Sequence, residues 1–386
     1  EFLGYEFNKA EGVVLKILKG NTFVNEAKEG EEIELITNQT PFYAESGGQV
    51  GDQGEIKTFQ CIIKILDTQK KMGDLHVHIG KVEKGSIKVS ENVNLEINIK
   101  RRNDAKAYHS ATHLLHESLR RILGKHVTQK GSLVSPEKLR FDFSHNKPIE
   151  KQEISKIENL VNEMIVKSSD VKTRIMTPKE AVDNGALALF GEKYGDEVRV
   201  LSMGNEKEKF FSTELCGGTH VGNTKEIGKF KIISQSSIAS GVRRVEALRD
   251  EQLKEYEKNQ EASKLNKDKK LIDEIKSIKE ELESFEIKPN FNDEIESTEN
   301  LKNLNKQLDQ IKVKNIINDK TKNIINDKKV ADFTFRFQTV QDLPSKELRT
   351  IVDAGKKEIK KGILIVFSIF EGKVGVSVGI TNDLTD

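Results

Sequence analysis

Cysteine is scarce in this chain, with Cys61 and Cys216 the only two among 386 residues. If either one holds a metal, no disulfide framework remains, and such frugality suits a reducing compartment. Net charge is nearly absent too. Lys+Arg number 63 against 62 Asp+Glu, leaving +1, so bulk charge announces no nucleic-acid partner and any such contact must come from local basic patches. No apolar run approaches the length needed to span a membrane, and no basic-then-apolar signal opens the chain. These absences predict a soluble, cytoplasmic protein with no membrane partner. Glu1 in place of Met, and a stop at Asp386 just after a strand-like run, read as a piece of something longer.

What is present is chemistry at metal-ligand spacing. His109-Ser-Ala-Thr-His113 places two imidazoles at i and i+4, on one face of a helix. Cys216-Gly-Gly-Thr-His220 offers a thiolate and a third imidazole, and its glycines imply backbone in close approach to something. One soft sulfur with three imidazoles suits Zn²⁺. His116, at i+7 from His109, shares that helical face and competes as a ligand or as an outer donor. His76 and His78 point to one side of a strand and read as a surface pair.

The fold class expected is α+β and multidomain. Residues 1–100 carry short alternating runs (Val13–Leu18, Ile33–Thr37, Cys61–Leu66, Val93–Ile99) and predict a small β-barrel. Within it the segment 40–52, with its clustered glycines, reads as a tight corner. From Arg101 the period turns helical, and residues 101–250 mix helices and strands into an α+β unit around the metal ligands. Residues 251–330 read as a helical hairpin or coiled coil, with a seam of Leu271, Ile275, Ile278, Leu282 and Phe285 repeated by Leu301, Leu304, Leu308 and Ile311. The heptapeptide Lys-Asn-Ile-Ile-Asn-Asp-Lys occurs at 314–320 and again at 322–328. Residues 331–386 predict a small α/β module cut short at its end.

Taken together, TPFYAESGGQVGDQG (40–54), HSATHLLH (109–116), QKGSLV (129–134), RFDFSHN (140–146), FGEKYG (190–195), STELCGGTHVG (212–222) and GVRRVEAL (241–248) resemble the alanyl-tRNA synthetase family, in family order. The likeness covers the whole chain, with residues 1–250 similar to the editing domain and the remainder to the helical linker and the C-terminal tRNA-binding or dimerisation domain. It implies hydrolysis of mischarged Ser-tRNA(Ala) or Gly-tRNA(Ala), with tRNA(Ala) and its acceptor end as partner, Zn²⁺ as cofactor, and a homodimer through the C-terminal domain. The family's ATP-binding core and its glycine-rich C-terminal segment have no counterpart here, so tRNA charging is not expected of this polypeptide.

The resemblance also implies Thr112, Gln129 and Ser132 as editing-pocket residues. Thr112 has a plain alternative, a helix hydroxyl bonded back to its own backbone. The segment Gln129-Lys130-Gly131 can present N–H groups to a developing oxyanion. Arg243 and Arg244 suit phosphate near the acceptor end, or else ion pairs with Glu246 or Glu214. Arg101, Arg102, Arg120, Arg121, Lys125 and Lys130 form a further basic group. Zinc has three possible roles: polarising a carbonyl, acidifying a water or holding the substrate's amine. The first competing reading is a zinc-stabilised tRNA-binding module without catalysis; the second, a zinc peptidase suggested by the paired histidines, is disfavoured because Ser110, not Glu, follows His109.

Overall fold

Alternating apolar residues curl the first hundred positions into a closed sheet. The strands are β1 (Lys9–Lys19), β2 (Thr22–Val24), β3 (Glu26–Lys28), β4 (Glu32–Thr37), β5 (Gly54–Lys57), β6 (Ile62–Lys71), β7 (Leu75–Lys84), β8 (Ser86–Lys88) and β9 (Asn92–Ile97). Six of them form a barrel in the order β1-β4-β7-β6-β5-β9, closed because β9 pairs antiparallel with β1, Ala10 opposite Leu95. Ile33, Leu35, Ile63, Ile65, Leu95 and Ile97 point inward as the two-residue period of a strand requires. The computed structural model describes residues 1–187, 195–206, 209–319 and 321–384. The FGEKYG segment, apart from Gly195, therefore lies outside the described residues.

His78 departs from the surface reading given to it with His76. Its side chain is fully buried, while His76 is half-buried and stacks on Phe2. Nδ1 of His78 donates to the Leu35 carbonyl at 3.0 Å, so Nε2 accepts from the Thr40 hydroxyl at 2.7 Å. The misreading arose because strand alternation fixes a side but not whether that side faces the core. Burial depresses the His78 pKa to about 4. An unfolded histidine titrates near ~6.5, so its contribution is complete above that pH and is lost as pH falls toward the folded value. The expected loss is about 3 kcal/mol across that window. Comparing denaturant unfolding of parent and His78→Gln from pH 7 to 4 checks this; curves that stay parallel would remove His78 from the account.

Helix α1 (Ile99–Leu123) opens with Asn98 capping the N–H of Arg101 and ends at Gly124, whose φ is 122°. Its stripe of Ala107, Ala111, Leu114, Leu115 and Leu119 packs on Phe141, Phe143 and Val245. These belong to an antiparallel sheet in the order β10 (Gln129–Val134), β11 (Leu139–Ser144), β16 (Val242–Arg249), β15 (Phe230–Ala239). Helix α2 (Lys151–Val166) adds Ile157 and Val161 to the same core. A second sheet joins β12 (Lys172–Met176), β13 (Val198–Glu206) and β14 (Lys209–Leu215), with the short α3 (Pro178–Asp183) between β12 and β13. This mixed layout is the α+β class expected.

The chain divides into two units, Glu1–Asn259 and Gln260–Asp386. Helix α4 (Asp250–Ser284) carries it from one into the other, and in the second unit α4 meets α5 (Ser297–Asn318) along Ile275, Ile278, Leu282, Leu304 and Leu308. Phe285, expected in that seam, is 37% exposed and stands outside it. The repeated heptapeptide adopts two structures. Its first copy ends α5, where Ile316 and Ile317 pack on the C-terminal core. The second copy lies in β17 (Asn323–Val330), a strand where a helical stretch to 330 was expected. Tertiary partners decide here, because β17 finds a ladder on β18 (Phe333–Gln341) and local propensity is ambivalent. Beyond it α6 (Leu348–Ile359) links β18 to the parallel β19 (Gly362–Phe370), and β20 (Lys373–Ile380) completes the sheet. Helix α6 buries Ile351 and Val352 on one face with Leu364 and Val366. Apolar side chains also stand on β20, where Val374 is 66%, Val376 55% and Val378 56% exposed.

Candidate metal centre

The helical period puts His109 and His113 one turn apart on α1, with rings stacked 5.4 Å between centroids. Cys216 and His220 come from the loop that leaves β14. One donor atom from each of the four lies within 4.8 Å of every other. The Cys216 Sγ stands 3.5 Å from His109 Nε2 and 3.3 Å from His220 Nε2. The second glycine of the loop is required by contact: a Cβ on Gly218 would fall 2.1 Å from His109 Cε1. The first, Gly217, faces solvent, and Cys216 and His220 are only partly covered, so the donor cluster is approachable from this side.

Each imidazole is held from behind. His109 Nδ1 meets Gln49 Oε1 at 2.8 Å, His113 Nδ1 meets Glu214 Oε2 at 2.8 Å, and His220 Nδ1 meets Ser110 Oγ at 3.2 Å. With Nδ1 so engaged, the Nε2 atoms converge as lone-pair donors, the arrangement that outer partners impose on metal-binding histidines. His113 Nε2 is buried and has no hydrogen-bond partner. Such an orphan is costly unless something occupies the centre. His116 stands behind the cluster: its Nδ1 lies 3.1 Å from Glu214 Oε1, and its ring packs on Phe141. Of the two roles open to it, the outer one is what the geometry provides.

The electrostatics agree. Burial opposes ionisation of the Cys216 thiol, yet the neighbouring His109, His220 and His113 hold it well below the usual thiol value. Burial likewise works against a charged His113, but Glu214 and Cys216 outweigh it and push its pKa up to about 10. For His220 burial prevails and lowers the value to about 3. Glu214, opposed by burial, is held below the usual carboxylate range by His113 and His116. The Glu214 carboxylate and the acidified Cys216 thiol, set among imidazoles, draw positive charge, whether a proton or a metal cation.

The remaining candidates fall on the elements around this cluster. Thr112 donates its hydroxyl to the Tyr108 carbonyl at 2.9 Å, the back-bonded state weighed as its alternative. Gln129 and Ser132 lie on β10, where Gln129 Nε2 approaches Ser132 Oγ at 3.3 Å and Ser132 Oγ approaches the Gly47 carbonyl at 3.4 Å. The register shifts between Gln129 and Gly131, leaving Lys130 as the extra residue of a bulge. Arg244 pairs with neither Glu246 nor Glu214. It grips Asp142, directly opposite on β11, at 2.7 and 2.8 Å, while Lys138 takes Glu246. Among the described residues Arg243 has no ion-pair partner. The basic group disperses, since Arg102 is wholly buried against Asp52, Arg101 pairs with Glu137, and Arg121 pairs with Glu117. Gln49 carried no role in the sequence, its one signal being its place beside two glycines, and Glu214, read there only as an ion-pair partner for the arginines, instead holds His113 and His116.

Comparison with known proteins fits this architecture. Residues 1–101 match the family tRNA synthetases class II (A), and residues 198–246 match the threonyl and alanyl tRNA synthetase second additional domain. The class is therefore that of aminoacyl-tRNA synthetases. The whole chain aligns with alanine-tRNA ligases of Parvibaculum lavamentivorans (43% identical), Chelativorans sp. (43%) and Sinorhizobium medicae (41%), covering 43% of each relative. The chain belongs to the alanyl-tRNA synthetase family, and it spans less than half the length of the curated relatives it matches. Among the described residues no helix is long and apolar enough to cross a membrane.

Proposed function

We propose that this chain is the editing part of an alanyl-tRNA synthetase and hydrolyses the ester of mischarged Ser-tRNA(Ala) or Gly-tRNA(Ala), chiefly the former, at a zinc site held by His109, His113, Cys216 and His220. The observation that carries the reading is the donor cluster itself, three oriented imidazoles and a thiol with a buried Nε2 left unsatisfied. Bound there, zinc would supply positive charge able to polarise an ester carbonyl or lower the pKa of a water. The chain's own residues do the rest. Because the Thr112 hydrogen is committed to Tyr108, its oxygen can only accept, which suits the hydroxyl of a seryl group and offers nothing to alanine. The bulge at Lys130 leaves backbone outside the ladder, where an N–H can face a developing negative charge. Arg243 is the phosphate contact, since Arg244 is committed to Asp142.

A second sieve answers a physical need, because a pocket made for alanine discriminates against a substrate differing by one small group by only about 1–3 kcal/mol. The test is deacylation of Ser-tRNA(Ala) beside Ala-tRNA(Ala) by the zinc-loaded chain. Serine should be released at least about tenfold faster, as hydrogen bonding to a hydroxyl allows. One observation favours a second reading: four protein donors complete a tetrahedral shell, as in structural sites. Equal rates would overturn the serine selectivity, and no turnover with zinc bound would leave a zinc-stabilised tRNA-binding module. The exposed valines of β20 support the homodimer through the C-terminal domain; sedimentation of the parent as a monomer at tens of micromolar would count against it.

A further inference from the structure

The metal ligands all lie on α1 and the loop after β14, yet one of the residues that hold them comes from the barrel. We propose that Gln49 is a positioning residue of the metal centre, and that through it the barrel takes part in the site. The inference rests on the metal reading above.

Gln49 is wholly buried, and its side-chain amide touches both ligand-bearing segments. Oε1 accepts from His109 Nδ1 at 2.8 Å and from the Thr219 backbone N–H at 3.0 Å, while Nε2 donates to Thr219 Oγ1 at 2.8 Å. The Thr219 N–H can only donate, so the amide oxygen must face it, which settles the orientation of the group. An amide oxygen cannot donate, so His109 carries its proton on Nδ1 and keeps the Nε2 lone pair for a cation. Thr219 stands between Cys216 and His220. One amide therefore sets the tautomer of one ligand and the path of the loop bearing two others.

The turn that presents Gln49 has little slack. Gly47 and Gly48 have φ of 59° and 86°, the left-handed pair of a tight two-residue turn, closed by reciprocal bonds between Ser46 and Gln49 at 3.2 and 3.0 Å. Val134 N–H donates to the Gly48 carbonyl at 2.7 Å, and Val50 N–H donates to the Val134 carbonyl at 3.0 Å. A Cβ on Gly48 would meet Ser132 Oγ at 2.1 Å. The turn is thus fixed to β10, and Gln49 cannot retreat from His109 without breaking these contacts. Glu214 and Ser110 hold their histidines from β14 and α1, so among the described residues Gln49 is the outer partner that the barrel supplies.

The experiment reads zinc affinity by chelator competition, and cobalt(II) absorption as a signature of ligand geometry, on the full chain. Gln49→Leu removes every polar contact and should weaken zinc about 10–100-fold, the usual effect of losing an outer partner, with altered cobalt bands. Gln49→Glu keeps acceptors for His109 and Thr219 and should restore most of the affinity. Thr219→Val deletes one contact and should give a smaller loss in the same direction, which serves if the leucine variant does not fold. A purely structural cross-link would lower thermal stability and leave affinity and cobalt bands unchanged; that result would overturn the proposal. If the parent itself takes up neither zinc nor cobalt, the metal reading fails first, and Gln49's role falls with it.

Discussion

Replacing Cys216 by alanine should cost the protein its metal and, with it, any deacylation of Ser-tRNA(Ala). The thiol is the sole sulfur in the cluster and lies within 3.5 Å of two of the three histidine nitrogens. It is also the group whose pKa the surrounding imidazoles lower, favouring the form that binds a metal. Alanine leaves three neutral donors. Since losing even an outer partner costs about 10–100-fold in metal affinity, losing this ligand should cost more than about 100-fold. Elemental analysis should then fall from about one zinc per chain to a trace after dialysis. A bound ion also stabilises the folded state, by about 4 kcal/mol when free metal is a thousandfold above Kd. Chelation should therefore lower the melting temperature of the parent and leave Cys216→Ala unmoved. A variant that kept stoichiometric zinc would show that the three histidines suffice, and the assignment of Cys216 would be wrong.

How much of this was legible depends on range. The period of Ala107, Ala111, Leu114, Leu115 and Leu119 marks a helix with one buried face, and that alone puts His109 and His113 on a common side. The alternation of Ile33 and Leu35, or of Ile63 and Ile65, likewise declares strands of a barrel. What stayed hidden was set by partners distant in sequence. Gln49 meets His109 from sixty positions away, and no local pattern records that contact. Arg102 looked like one of several surface cations because its partner Asp52 lies fifty positions upstream. The twin heptapeptides make the point sharply, since identical residues end a helix at 318 and build a strand from 323. For Cys216-Gly217-Gly218, close approach was legible from the glycines, and the structure assigns it to Gly218 against the His109 ring.

The buried pair of Arg102 and Asp52 should carry the largest stability effect in the first unit. Arg102 is 0% and Asp52 6% exposed. The guanidinium donates from Nε to both Asp52 oxygens at 3.0 and 2.9 Å, from Nη1 to the Gly4 carbonyl at 2.6 Å, and from Nη2 to Asp52 and to the Pro41 carbonyl, the latter at 2.7 Å. Asp52 also accepts from the Tyr43 N–H at 2.7 Å. One ion pair thus joins the N-terminal segment, both ends of the 40–52 loop and the first turns of α1. Asp52→Asn would leave a buried charge without its counterion, a change that costs about 3–5 kcal/mol. For a unit of this size that is a melting temperature lower by roughly 10 °C. An apolar replacement of both partners, Arg102→Met with Asp52→Leu, removes the naked charge and should recover part of the loss. Recovery stays incomplete, because the Gly4 and Pro41 carbonyls and the Tyr43 N–H lose their partners. Thermal unfolding of the full chain checks the order: parent above double variant above Asp52→Asn. A shift below about 2 °C for Asp52→Asn, less than one kcal/mol on the same scale, would mean that packing alone holds the loop. Because this loop also carries Gln49, the same variant should loosen the metal centre, and its zinc affinity should fall together with its stability.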